Sequence, residues 1–462
     1  MKIVILFSFI IQALNAYMLR NRKDQIKQQV ILQFRETVKN PFSPFYHSSY
    51  DRLAYYVDTF GPRMWGSESM ADSVDALVEE MQKYGFDRVW KENLGEITSW
   101  KRGEESVTLY DPREYPQKLN MIGLGWTPAG SVKAEVEVVH TFEELKHVDV
   151  KGKIVCFNFE WKGYSSSVQY RMNGPRLAEQ AGAIGTIIRS VASISISSPH
   201  TGMTDYQSIK YPAVAITVED ADMIDRMRQR GQKVVIEIKT GGQQYKTTSD
   251  NVLAEIRGSK YPDEILLMGG HWDSWDVGSQ TGANDDGAGV IECLEALKLF
   301  KYLGIRPKRT IRFIAWSGEE MGMEDDGAQQ YAKTHSQENH VVAFESDLGS
   351  TKPYGFGVTA GEKFTQLVTY LAYEYLTEIG VEKIYPNAGG AADSGALRTV
   401  TGTPVMNNQI VDNNTHDYYF TYHHTAGDSM LMMNADDMDD NVIAFASIMY
   451  LIADHDDSIP KN

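Results

Sequence analysis

Five short stretches of the chain carry side chains able to hold a metal or move a proton. They are His271-Trp272-Asp273, Asn284-Asp285-Asp286, Glu319-Glu320, Glu345-Ser346-Asp347 and, near the end, His423-His424 followed by Asp428. Each alone has an ordinary reading: a His-x-Asp is more often a surface hydrogen bond, Asp-Asp a turn, and Glu-Glu a solvated face. Together they offer imidazole and carboxylate, the donor set that suits zinc. The two cysteines, Cys156 and Cys293, lie far apart within apolar stretches. That excludes a disulfide scaffold and a Cys-rich zinc finger, and it predicts buried structural thiols. Any metal must then be held by His and carboxylates. Two choices of register stay open at this point, His423 or His424 and Asp285 or Asp286.

The surrounding elements deliver these stretches to one edge. Apolar strands are predicted at 265–268, just before His271, at 310–316, before Glu319, and at 341–344, before Asp347. Residues 287–300 read as a helix with Val290, Ile291, Leu294 and Leu297 on one face. Strand–loop–helix alternation of this kind predicts an α/β sheet with helices on its faces. In such sheets ligands bind beyond the carboxyl ends of the strands. Upstream, residues 73–84 read as an amphipathic helix with Val74, Leu77, Val78 and Met81 on one side, stopped at Gly85.

Between these parts, residues 116–245 have a different texture. Short apolar strands recur at 134–139, 153–157, 185–189, 213–217 and 233–238, with a helix candidate at 178–182 and another capped by Thr217. This stretch is expected to be an inserted, smaller β-rich α/β domain, and the main domain to combine residues 41–115 with 246–462. Residues 161–170 and 198–204 are candidate loops covering the site. Lys2 and the apolar run 3–14 predict a secretory signal peptide ending near Ala16, and residues 17–40 a propeptide or first helix. Asn413 opens a glycosylation sequon.

The 462 residues carry a formal net charge of −17 and are 42% hydrophobic, values of a folded chain with an acidic surface. Nucleic acid and anionic membrane are thereby excluded as main partners. After signal cleavage no apolar run is long enough to span a bilayer, so no membrane partner is expected.

From about residue 45 to the end the sequence resembles the M28 family of co-catalytic zinc peptidases. The motifs that carry the resemblance are His271-x-Asp273, Gly282-Ala-Asn-Asp-Asp-Gly287, Gly318-Glu-Glu320, Ser346-Asp-Leu348 and His424-Thr-x-x-Asp428. The resemblance implies a mixed central sheet flanked by helices, of the zinc-exopeptidase type, with an inserted PA-like domain. It also implies two Zn2+ per chain: one held by His271 and Asp347, the other by Glu320 and His424, with Asp285 bridging. A cis peptide after Asp285 belongs to the same pattern. Glu319, next to ligand Glu320, is expected to be the general base, and Asp273 to orient the His271 ring from behind. Asp393 matches a family stretch that lines the site. Further stretches, His271 to Gly278 and Ser198 to Gly202 among them, narrow the resemblance to a branch that hydrolyses dipeptides with both termini free. That branch implies a secreted or lysosomal homodimer acting on short peptides. A broad aminopeptidase is the main alternative; a one-zinc glutaminyl cyclase and a non-catalytic receptor-like protein are further ones.

Overall fold

The computed structural model describes residues 22–205, 209–390, 392–410 and 418–461; the expected leader and the sequon at Asn413 lie outside the described residues. The main unit is built on an eight-stranded sheet. Its strands run in the order Arg88–Asn93, Asp250–Ile256, Arg309–Trp316, Tyr261–His271, Asn339–Glu345, Val405–Ile410, Pro353–Thr359 and Lys383–Pro386. Strands three to six of that order are parallel, and antiparallel pairs join them to the outer strands, so the sheet is mixed. Every residue of Arg309–Trp316 is buried, as expected of a parallel strand covered on both faces. Alternation sorts the two faces. Leu266, Met268, Ile311 and Phe313 join one core, while Leu267, Ile314 and Trp316 join the other.

The larger core is closed by the helices Ser48–Phe60, Glu68–Gln82, Ala288–Tyr302, Glu362–Tyr375 and Ala435–Ala453. Residues 22–39 form a further helix that buries Ile31, Phe34 and Val38 in this core. The helix predicted from residue 73 starts earlier, because Ser67 caps it by accepting from the Met70 N–H. The smaller core is closed by Gly327–Thr334 and Asp393–Thr401.

A second eight-stranded sheet runs Gln117–Leu119, Ser106–Asp111, Val235–Thr240, Gly130–Val139, Ile154–Phe157, Gly185–Arg189, Ala213–Ile216 and Met121–Gly123. Ser106–Asp111 therefore lies in this sheet, ahead of the boundary expected at 116. It pairs with Val235–Thr240, a partner far off in sequence that no local pattern announces. Between the two sheets stands a ribbon of Ile97–Lys101 paired with Gln243–Thr247. The covering loop expected at 161–170 is a helix from its fourth residue, Tyr164–Gln180. Gly174 and Pro175 inside that helix disguise it in the sequence. Thr217 caps Val218–Gln229 as predicted, its side chain accepting from the Asp220 N–H. Among the described residues no helix is long and apolar enough to cross a membrane.

Candidate metal centre

His271 closes the strand Tyr261–His271 at the carboxyl edge of the parallel sheet. Its Nε2 lies 3.1 Å from Asp285 Oδ1 and 3.6 Å from Asp347 Oδ1. On the other side of Asp285, His424 Nε2 lies 2.8 Å from Glu320 Oε2 and 3.5 Å from Asp285 Oδ2. The donor atoms of His271, Asp285 and Asp347 all lie within 4.8 Å of one another, and so do those of Asp285, Glu320 and His424. Asp285 belongs to both groups. His423 stacks on His424 and sets its Nε2 3.2 Å from Asp285 Oδ2.

The peptide bond between Asp285 and Asp286 is cis. Asp286 turns away from both groups, and its Oδ2 accepts from the His271 N–H. It fills a slot between Gly270 and Gly289. A Cβ at Gly270 would stand 1.9 Å from Asp286 Oδ2, and one at Gly289 would stand 2.4 Å from Asp286 Oδ1.

Asp273 acts otherwise than expected. The His271 ring is held by the backbone carbonyl of Asp273, 2.9 Å from Nδ1, while the carboxylate lies 3.9 Å away. That carboxylate instead accepts the backbone N–H groups of Gly318 at 2.7 Å, Glu319 at 3.2 Å and Glu320 at 3.3 Å. It anchors the turn that carries both glutamates. Asp428 plays the same part for the loop before Asp285, accepting from Gly282 and Asn284 at 2.8 and 2.7 Å. Buried Arg63 ties that loop down through the carbonyls of Trp272 and Gly282. Trp275 donates to Glu320 Oε2 at 2.6 Å. Asp393 begins a helix whose first N–H groups, its own and that of Ser394, bond Glu345; its Oδ2 is buried without a partner among the described residues.

Electrostatics show what the groups lack. Burial, reinforced by Asp285 and Glu319, pushes the Glu320 carboxyl well above the usual range, and burial with Asp347 and Asp273 does the same to Glu319. Burial also lowers His424 well below the ordinary imidazole value, helped by Arg171, leaving a neutral nitrogen donor. Asp285 Oδ2 is buried and accepts no hydrogen bond among the described residues, with the His423 and His424 Nε2 atoms standing 3.2 and 3.5 Å off. Crowded buried carboxylates around two inward-facing imidazoles are what two cations would satisfy, and the oxygen and nitrogen donors fit zinc. The Glu319 carboxylate accepts no hydrogen bond from the described residues and stays partly open.

The second unit completes the site. Thr201 donates its N–H to the His424 carbonyl at 3.0 Å, and the Thr201 carbonyl lies 3.3 Å from His424 Nδ1. It accepts Nδ1–H when Nε2 faces the donor group. His200 stacks on His424 and donates from Nδ1 to the His423 carbonyl at 2.8 Å. Arg171 is buried and bonds His200 Nε2 at 2.9 Å. Tyr164 stacks on Phe420 and meets His423 edge-on. His200 and Thr201, in the stretch expected to cover the site, do reach His424, whereas no sequence signal assigns a role to His200, Arg171 or Tyr164. A groove of about 780 Å³ opens beside Glu320 between the two units, with Met203 and Thr204 on one wall and Met321 and Gly322 on the other.

Two donor groups sharing one carboxylate, at the carboxyl edge of a mixed sheet, define a hydrolase site of the zinc-exopeptidase type. Peptidase family M28 matches residues 251–449. The chain is 39% identical over 425 residues to carboxypeptidase Q of Homo sapiens, covering 90% of this chain and 87% of that one. The crystal structure of a peptidase M28 precursor from Shewanella amazonensis superposes with a TM-score of 0.85 at 32% identity, covering 95% of this chain and 99% of that one. A zinc aminopeptidase from Bacillus subtilis shares the fold, with a TM-score of 0.65 at 20% identity over 89% of this chain and 98% of that one. The chain belongs to peptidase family M28 and is a zinc metallopeptidase acting on peptides.

Proposed function

We propose that this chain is a secreted or lysosomal di-zinc exopeptidase that hydrolyses dipeptides with both termini free. The observation that carries the reading is Asp285, which faces a complete donor group on either side, with the unengaged Glu319 carboxylate alongside. His271 and Asp347 would hold one zinc, Glu320 and His424 the other, and Asp285 would bridge. Zinc bound there would polarise the scissile carbonyl and activate water.

The chain's own residues do the rest. Glu319 takes the proton from the attacking water and returns it to the leaving amine. The Asp273 carboxylate fixes the backbone on which Glu319 and Glu320 sit, and the Trp275 N–H fixes the Glu320 carboxylate. The Asp273 and Thr201 carbonyls stand behind the two histidine rings and set which nitrogen points inward. His200 and Thr201 pack against His424 from the second unit, a cover that would favour small substrates.

The dipeptidase reading rests on the family resemblance of the sequence, and the carboxypeptidase Q relatives are in keeping with an exopeptidase. The cyclase and receptor-like readings expect one donor group or an incomplete set, whereas both groups here are filled. A homodimer is part of the proposal, on the family resemblance of the sequence alone. A panel of dipeptides, each tested free, amino-blocked and carboxyl-blocked, decides the specificity. The proposal expects cleavage of the free forms alone, with two zinc ions per chain by mass spectrometry. Equal cleavage of carboxyl-blocked substrates makes the enzyme an aminopeptidase.

A further inference from the structure

The second sheet has a carboxyl edge of its own. Gly130–Val139, Ile154–Phe157, Gly185–Arg189 and Ala213–Ile216 are parallel neighbours. Asn158 follows the second of these and Arg189 ends the third, and both line a cavity of about 500 Å³ distinct from the metal groups. By the rule that located the metal centre, this edge is where a ligand binds.

The side chains there are built and unfinished. Arg189 is 7% exposed and Asn158 8%. Arg189 gives Nη1 to the carbonyls of Ser190 and Ala192, at 3.3 and 3.2 Å, and forms no ion pair with a carboxylate among the described residues. Asp222 and Glu219 act on it from farther off, but neither closes an ion pair, and a buried guanidinium left short of one is costly. Asp222 lines the same cavity, accepts from Asn158 Nδ2 at 3.2 Å and closes no ion pair among the described residues. Asn158 Oδ1 is buried with no hydrogen-bond partner among the described residues. Arg189 and Asp222 therefore share one cavity without reaching each other. Between them Phe159 and Tyr170 stack at 4.5 Å and give the cavity an apolar wall.

One small ligand meets all three requirements if it carries a carboxylate, a cationic group and an apolar body. We infer that this cavity binds a free α-amino acid, its carboxylate on Arg189, its ammonium on Asp222 and Asn158 Oδ1, and its side chain against Phe159 and Tyr170. The volume falls in the range of small-molecule pockets, with room to spare around a ligand of that size. The site is independent of the reading of the metal groups, because none of these residues belongs to them.

Calorimetric titration of the zinc-loaded full chain tests this, with L-leucine, leucinamide and 4-methylpentanoate as probes. L-leucine is expected to bind outside the zinc cleft, and the two analogues, each lacking one charge, to bind there at least tenfold more weakly. Arg189→Gln and Asp222→Asn should each weaken leucine binding by about tenfold to a hundredfold, the weight of one charged hydrogen bond. Dipeptide turnover should stay at the wild-type rate in Arg189→Gln, which separates this site from product binding in the cleft. Wild-type leucine affinity in a folded Arg189→Gln overturns the inference. Should that variant fail to fold, the unaltered chain decides. Leucine binding that persists with a non-hydrolysable dipeptide mimic in the cleft supports the site. Complete displacement by the mimic, or analogues that bind as well as leucine, overturns it.

Discussion

Replacing Asp273 by Asn removes one of the two oxygens that hold the turn bearing Glu319 and Glu320. In the native chain Oδ1 accepts from Gly318 and Glu319, and Oδ2 accepts from Glu320. The amide keeps an oxygen toward the first two, so the Glu320 N–H loses its acceptor and faces an NH2 group. The remaining bonds pass from charge-assisted to neutral. A bond to a charged group contributes about 1.5–3 kcal/mol and a neutral one about 0.5–1.5 kcal/mol. One charged bond lost and two weakened by about 1–1.5 kcal/mol each take about 3.5–6 kcal/mol of restraint from the turn. Half of that expressed in the placement of Glu319, about 2–3 kcal/mol, is about thirtyfold to a hundredfold in kcat at about 1.36 kcal/mol per tenfold. The ring of His271 keeps its support, because the carbonyl of residue 273 is untouched. The assay is kcat and KM on a free dipeptide, with zinc per chain and thermal midpoint measured alongside. The expected result is a kcat reduced tenfold to a hundredfold with a smaller change in KM. A variant with native kcat would show that the turn does not depend on this carboxylate. Loss of zinc with an unchanged thermal midpoint would mean that the carboxylate orients the histidine instead.

Glu319→Gln should retain zinc and lose about 10²–10⁴-fold in kcat, since an amide cannot accept the proton; near-native turnover rules Glu319 out as the base. Asp285→Ala should lose metal from both groups, whereas Asp286→Ala, whose side chain points into the Gly270–Gly289 slot, should lose stability more than zinc; mass spectrometry and thermal melts on the pair check this, and the reverse pattern means the register is off by one. The His335 ring has its pKa raised to about 9: burial opposes the charge, but Glu338 and Glu92 outweigh it. A raised histidine stabilises fully below its ordinary value near 6.5 and loses that contribution as pH climbs through about 9. Urea titrations between those limits should show stability falling with pH, and His335→Gln should flatten the slope; an unchanged slope would mean that the Glu92–His335–Glu338 contacts carry no stability.

The strand ends of the main sheet were legible because each parallel strand is a bare apolar run ending in a polar residue: Met268 then His271, Trp316 then Glu319, Phe344 then Asp347. The five stretches named from sequence do converge on one edge. What escaped were contacts made across long separations. Asp273 is two residues from His271, so its carboxylate was assigned to that ring; only the folded turn shows it reaching Gly318 to Glu320. Arg171 and His200 meet His424 from another unit, and no spacing rule links positions so far apart. Helix Tyr164–Gln180 was hidden by Gly174 and Pro175, and Ser106–Asp111 by a partner more than a hundred residues downstream. In each case the deciding energy is tertiary.

The paired strands Ile97–Lys101 and Gln243–Thr247 continue the pairing of Arg88–Asn93 with Asp250–Ile256. Seen from the main sheet, everything between Lys101 and Gln243 is thus the tip of a single β-hairpin. Those two residues are register partners, so the chain leaves and returns at one strand spacing, about 4.8 Å. An unstructured tip of that length would tax the hairpin with loop-closure entropy that grows with the logarithm of its size. A folded tip with adjacent ends does not, since its own sheet has already brought them together. The hairpin that completes the edge of the main sheet therefore closes most easily after the smaller unit has folded. By the same geometry, that unit can be exchanged for another of equal end spacing without re-registering a single strand beneath it.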